Sequence, residues 1–187
     1  MIFVLPVALE FGGREWPINT DFRDILTILE AFDDTELSDN EKAYICLHNL
    51  YVDFEEIPQS EMQTAYEKAV EFIDAGSEKK KNQRKTMDWK QDAPLIFPAV
   101  NHVAGYEVRS VEYLHWWTFM GFFMEIHDSV YSNVLSLRQK KWVHGKKLEK
   151  WEQEYWRNNK EICELKRPET EDDKAKKAEL EAILGKR

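Results

Sequence analysis

The sequence is poor in cysteine, glycine and proline. It contains two cysteines, seven glycines and six prolines among 187 residues. Cys46 and Cys163 lie far apart and outside any Cys-x-x-Cys pattern, which argues against a disulfide framework and predicts buried thiols in a reducing compartment. The scarcity of glycine and proline argues against an all-β fold with many turns and favours helices.

Long apolar runs are also missing. No segment approaches the roughly 20 apolar residues that a membrane-spanning helix requires. The N-terminal stretch MIFVLPVALEF lacks the basic region of a signal peptide. We therefore expect neither membrane insertion nor secretion.

The charge is unevenly distributed. The net charge is −9, but residues 1–78 carry a net −14 and residues 79–187 a net +5. An acidic protein is a poor candidate for nonspecific DNA binding. The asymmetry could orient neighbouring subunits or a charged partner.

Aromatic residues are abundant, with seven tryptophans, and they concentrate in YLHWWTFMGFFMEI at residues 113–126. On a helix this stretch forms two apolar stripes on nearly opposite sides. One stripe contains Tyr113, Trp116, Trp117, Met120, Phe123 and Met124, and the other contains Phe119, Phe122 and Ile126. Such a helix must be covered on more than one face, so it is either the centre of a core or shared with a partner.

The pattern along the chain predicts a mainly α fold of about seven helices with a small N-terminal β-hairpin. Two β-rich runs in residues 3–18 flank Gly12-Gly13, which is a hairpin signal. Helices are expected after caps at Thr20, Ser38 and Ser60, the last two read as capping boxes, and from Asp92 to a stop at Gly105. Ser110 is expected to begin the aromatic helix, and further helices are predicted at residues 128–141, 146–166 and 170–184.

One globular domain is expected, in four parts. Residues 1–76 form the hairpin and an acidic helical part, ending near Gly76. Residues 77–87 form a basic linker, residues 88–167 an aromatic helical core, and residues 168–187 an exposed tail helix.

Three small motifs could suggest a metal site. Glu112 and His115 match Glu-x-x-His, but the second such pair of a di-iron bundle is missing. The cluster Glu125, His127 and Asp128 is better explained by Asp128 capping the next helix. Asp88 and Asp92 could share a metal or a positive partner, although capping is the simpler explanation. We therefore predict no metal and no cofactor.

Two basic runs could bind single-stranded nucleic acid, the second with help from Trp142 and Trp151. The first run spans residues 79–85, and the second contains Arg138, Lys140, Lys141, Lys146, Lys147 and Lys150. A solvated surface is favoured because Glu149, Glu152 and Glu154 interrupt the second run. Gly145-Lys146-Lys147 is not a P-loop, because the upstream glycine and the following Ser or Thr are absent. No nucleophile motif is recognisable, so we expect no enzymatic activity and no catalytic residues.

A family resemblance appears between residues 88 and 151. It rests on DWKQD at 88–92, Leu95-Ile96, Asn101, LHWWTF at 114–119, RQKK at 138–141 and GKKLEKW at 145–151, with NTDFR at 19–23 upstream. In this order they resemble the bacteriophage "gene product fifteen" family over almost the whole chain.

The resemblance implies a gene of long-tailed phages or their prophages, placed between the tail-tube and tape-measure genes. That position implies a tail assembly chaperone, which would bind the tape-measure protein in the host cytoplasm, self-associate and be absent from the mature virion. The alternatives are a structural tail or connector subunit and a nucleic-acid-binding phage protein. The candidate partner-binding residues are Trp89, Trp116, Trp117, Phe119, Met120, Phe122, Met124 and Ile126.

Overall fold

The computed structural model describes residues 4–75 and 85–166. Within these ranges the chain forms eight α-helices and one two-stranded antiparallel sheet, which confirms the mainly α fold with an N-terminal hairpin. The stop at Gly76, most of the basic linker and the C-terminal tail helix lie outside the described residues.

The hairpin forms where the glycine pair predicts it. Strand β1 (Ala8–Phe11) pairs with β2 (Arg14–Pro17), and the turn between them has φ of 60° at Gly12 and 74° at Gly13. Two consecutive positive φ angles are typical of the tight turn that matches strand twist, and glycine adopts them without steric cost. The rings of Phe11 and Trp16 stack inside the core, so the hairpin is docked on the helices.

Three helices follow the hairpin: α1 (Phe22–Asp33), α2 (Asp39–Leu50) and α3 (Met62–Ile73). The capping box of α2 is confirmed, because Ser38 and Glu41 exchange both bonds. The predicted cap at Thr20 is wrong, since the Asp21 side chain accepts from the Arg23 amide instead. The predicted capping box at Ser60 is also wrong, because Ser60 lies in a 3₁₀ turn and α3 begins without a side-chain cap.

Helix α4 (Trp89–Ala104) begins one turn earlier than expected. The Asp88 side chain accepts from the amides of Lys90 and Gln91, so Asp88 is the cap and Asp92 lies inside the first turn. Pro94 is tolerated near the helix start, while Pro98 lies further inside. The predicted stop is confirmed at Gly105, which has φ of 78°.

Helix α5 (Trp116–Met124) is shorter than the aromatic stretch, and the predicted start at Ser110 is wrong. Before it, the chain runs extended beside the residues that precede α1. The Trp116 amide donates to the Thr20 carbonyl at 2.7 Å and the Phe22 amide to the Leu114 carbonyl at 3.0 Å. This pairing occupies the backbone that would otherwise begin the helix.

The C-terminal part is more broken than expected. Helix α6 (Val130–Arg138) is capped by Ser129, so the predicted Asp128 cap is wrong, and it continues into a π-helical turn at Gln139–Val143. The single helix predicted at 146–166 is divided into α7 (Lys150–Asn158) and α8 (Lys160–Cys163) by a non-helical Asn159.

One large apolar cluster joins the hairpin and α1 to α5. It contains buried residues that precede residues 76–84 in the sequence and buried residues that follow them. A smaller cluster joins α6, α7 and α8 through Val134, Leu137, Leu148, Trp156 and Cys163. None of the helices in the described ranges has the length and apolarity to cross a membrane.

Candidate partner-binding surface

The inner face of α5 lies at the centre of the large cluster. Trp116 is 1% exposed and Phe119 is fully buried. The Phe119 ring stacks on Phe22 of α1, with centroids 4.7 Å apart, and on Trp116 at 5.8 Å. These two candidate residues therefore contact the protein's own core, although they come from opposite predicted stripes.

Trp89 packs across α4 and α5. It is half-buried, and its ring lies 4.9 Å from Phe123 and 6.2 Å from Trp116 between centroids. Much of this candidate residue's surface is thus covered within the chain.

The indoles of Trp116 and Trp117 hydrogen-bond to carbonyls at the C-terminal end of α3. The Nε1–H of Trp116 donates to the Ile73 carbonyl at 2.8 Å, and that of Trp117 donates to the Phe72 carbonyl at 2.9 Å. The last carbonyls of a helix have no partner within the helix, and the Trp116 indole supplies one for Ile73. The Phe72 carbonyl also accepts from the Ala75 amide at 3.1 Å, so the Trp117 indole adds a second bond there. No sequence pattern around α3 indicates this long-range capping.

His115 caps α5 and is buried. Its Nδ1 accepts from the Trp117 amide at 3.0 Å, which requires the ring proton on Nε2, and Nε2 then donates to the Pro6 carbonyl at 2.9 Å. Because residues 112–115 are not helical, Glu112 and His115 do not share a helical face. Among the described residues, no three His, Cys, Asp or Glu side chains are placed to hold a metal ion.

The outer edge of α5 is open to solvent. Trp117, Met120, Gly121 and Met124 follow the i, i+3, i+4, i+7 spacing of one helical face. Trp117 is 38% and Met124 is 68% exposed, while Met120 is half-buried. We call these four residues the α5 edge.

Gly121 is the unusual member of this edge. Its backbone is helical, and a Cβ built there would meet no atom within 4 Å. Glycine inside a helix costs about 1 kcal/mol relative to alanine. The described fold therefore gives no packing reason for glycine at this position.

The remaining candidates, Phe122 and Ile126, are half-buried. Phe122 meets Tyr106 edge-on at 6.3 Å between ring centroids. Ile126 follows the end of α5 rather than lying on it. The predicted second stripe is thus partly or fully covered within the chain, and the exposed large apolar residues of α5 itself, Trp117 and Met124, lie on the α5 edge.

The second basic run is not one surface, because Arg138 is fully buried. Its guanidinium pairs with both oxygens of Asp92 at 2.7 and 2.9 Å. It also donates to the carbonyls of Thr86, Ile162 and Cys163, so all five donors are used. The positive partner of Asp92 is therefore an arginine of this chain.

Comparison with known proteins identifies a family. Residues 2–165 match the family described as Bacteriophage Gp15 protein. No curated protein and no solved structure matches the chain. Since the match extends over most of the sequence, from the hairpin to the end of α8, the chain belongs to the Bacteriophage Gp15 protein family.

Proposed function

We propose that this phage protein is a tail assembly chaperone that binds the tape-measure protein without catalysis. The observation that carries the proposal is the α5 edge, an exposed apolar helix face that includes a glycine for which the described fold gives no packing reason. Family membership supports the phage context. The chaperone would act in the host cytoplasm, before the tail is complete.

The chemistry of the α5 edge suits a helical partner. An amphipathic helix binds another helix through anchors at spacings of three and four residues. Trp117 would be the aromatic anchor, and Met120 and Met124 are flexible side chains that adapt to varied sequences. A small residue between them lets a partner backbone approach closely, as Gly121 would allow.

Co-expression with the tape-measure protein from the same phage genome tests the proposal. We expect a co-purifying complex and more soluble tape-measure protein. Met124→Lys should reduce the recovered complex about tenfold, because it places a charge within an apolar contact. Val52→Lys is the matched control, because Val52 is also exposed, at 58%, but lies outside the α5 edge. Absence of a complex, or equal loss with both variants, would contradict the proposal.

A structural tail or connector subunit is the other candidate function. Mass spectrometry of purified particles separates the two. A chaperone should be absent from mature virions, whereas stoichiometric retention would identify a structural subunit.

A further inference from the structure

Three lysines line one pocket beside the small apolar cluster. The pocket has a volume of about 360 Å³ and is lined by Lys141, Lys146, Lys147, Leu148, Gln153 and Trp156. Leu148 and Trp156 are buried, whereas the three lysines are exposed. We call this feature the lysine pocket. It combines positive charge at the rim with an apolar wall.

The backbone around the lysine pocket is specifically shaped. The π-helical turn Gln139–Val143 is followed by a reversal in which the Lys146 amide donates to the Lys140 carbonyl at 3.0 Å. Gly145 has φ of 59°, a left-handed conformation that favours glycine. Turns of the π type occur frequently at functional sites. The reversal brings Lys146 and Lys147 beside Lys141 on the preceding turn.

The charge in the lysine pocket is not neutralised by the described residues. The neighbouring Lys140 binds Glu152 at 2.6 Å and lies 3.8 Å from Glu149. By contrast, Lys141, Lys146 and Lys147 form no ion pair with any carboxylate in residues 4–75 and 85–166. The Lys141 ammonium lies 3.9 Å from the Trp156 ring centre, a cation–π contact that leaves its charge intact.

The complementary chemistry lies on the same chain, at the junction of α1 and α2. A hollow of about 400 Å³ is lined there by Glu30, Asp33, Asp34 and Asp88, with Thr27, Ala31, Leu37 and Lys90. Lys85 binds Asp33 at 2.8 Å and Asp88 at 2.9 Å, but Glu30 and Asp34 form no ion pair within the described ranges. We call this feature the acidic corner.

We propose that the exposed lysines around the lysine pocket contact the acidic corner of a second copy of this chain. Carboxylates of Glu30 and Asp34 would meet the ammonium groups of Lys141, Lys146 and Lys147, and Leu37 would contribute an apolar contact. Residues 1–78, which include Glu30 and Asp34, carry a net charge of −14, so this part of a second copy is attracted to exposed lysines. This self-association does not depend on tape-measure binding, which the α5 edge serves.

A charge-swap experiment with the full chain tests the self-association. One variant combines Lys146→Glu with Lys147→Glu, and a second combines Glu30→Lys with Asp34→Lys. Sedimentation velocity measures association, and thermal melts confirm folding. We expect the wild type to associate about tenfold more weakly when salt rises from about 0.05 M to about 0.5 M, because screening weakens exposed charge pairs. Each variant alone should weaken association about tenfold or more, and an equimolar mixture of the two should restore it.

The matched control combines Lys68→Glu with Lys160→Glu. It makes the same change in net charge at two lysines outside the lysine pocket, each paired with a glutamate on its own helix or next to it. Retained association in this control supports the proposal. A monomeric wild type at low salt, equal loss in the control, or no recovery on mixing would overturn it. A nucleic-acid outcome would also overturn the proposal. In that case the wild type would not self-associate but would bind a labelled oligothymidine, and Lys146→Glu/Lys147→Glu would abolish that binding. The lysine pocket would then be a site for phosphate.

Discussion

Arg138 is a single residue that joins four separate stretches of the chain. It extends from α6 to Asp92 of α4, to Thr86 before α4, and to two carbonyls of α8. Those two carbonyls, of Ile162 and Cys163, lie at a helix end, where they have no partner within the helix. A buried charge is tolerated only when paired and fully hydrogen-bonded, and Arg138 meets both conditions.

Arg138→Lys should lower the free energy of unfolding by about 3–5 kcal/mol, in the range for breaking a buried ion pair. Lysine keeps the charge but lacks the planar fork that binds both Asp92 oxygens. Asp92→Asn should act in the same direction, because it leaves the guanidinium charge buried without its counter-charge. Urea unfolding at neutral pH measures both effects.

Lys150→Gln is the control for this experiment. Lys150 is exposed and does not line the lysine pocket, so the free energy of unfolding should change by no more than about 0.5 kcal/mol. If Arg138→Lys and Lys150→Gln unfold at the same urea concentration, Arg138 does not hold these stretches together.

The sequence places Arg138 in a basic run, where a solvated position is the ordinary expectation. Its partner Asp92 lies 46 residues earlier, and no local pattern connects the two. Capping was the favoured explanation for both Asp88 and Asp92, and only Asp88 is the N-cap of α4, while Asp92 lies in its first turn. Single residues of this kind escape sequence reasoning because their partners are set by tertiary packing.

Among the elements, α5 shows how tertiary contacts shorten a helix. Its periodicity predicted a start at Ser110, but backbone bonds to Thr20 and Phe22 keep the preceding residues extended. The hairpin and the start of α2 were predicted correctly, because Gly12-Gly13 and the Ser38–Glu41 box act through local geometry. Local signals therefore identified these elements, while the exposed side of α5 depends on where α3 and α4 pack.

Gly121→Ala should stabilise the protein by about 0.5–1 kcal/mol. The helical backbone accepts alanine, and the added Cβ meets no atom within 4 Å. Thermal unfolding measures the change.

Gly105→Ala is the matched substitution with the opposite expected sign. The space at Gly105 is equally open, but its φ of 78° strains any residue with a Cβ. A destabilising Gly121→Ala would show that glycine there serves this chain's own fold, which would weaken the case for a binding role.

In the whole molecule, several carboxyl groups favour folding only while ionised. Hydrogen bonds from Arg109, from its side chain and then its amide, lower the pKa of Glu107 from 4.5 to about 2. The pKa of Glu41 is lowered by the Ser38 side chain and amide, and that of Glu152 by Lys140 and the Glu149 amide. A lowered pKa in the folded state means that the stabilisation is present above the ordinary pKa and lost as pH falls through the folded value.

The melting temperature should therefore fall as pH drops from about 4.5 towards 2. Glu107→Gln should melt below the wild type at pH 7, and the difference should narrow through this window as the wild-type carboxyl becomes protonated. Calorimetry across the pH series measures both curves. A difference that stays constant down to pH 2 would show that ionisation of Glu107 contributes nothing to stability.

The bonds of Arg138 also have a consequence for the order of folding during synthesis. The hairpin, α1, α2 and α3 can begin to pack once the chain through Ile73 has emerged from the ribosome. Arg138, however, is translated before Ile162 and Cys163, whose carbonyls accept two of the hydrogen bonds from its guanidinium. Until these leave the exit tunnel, the guanidinium must remain hydrated, so α6 can take its final position only after α8 has been made.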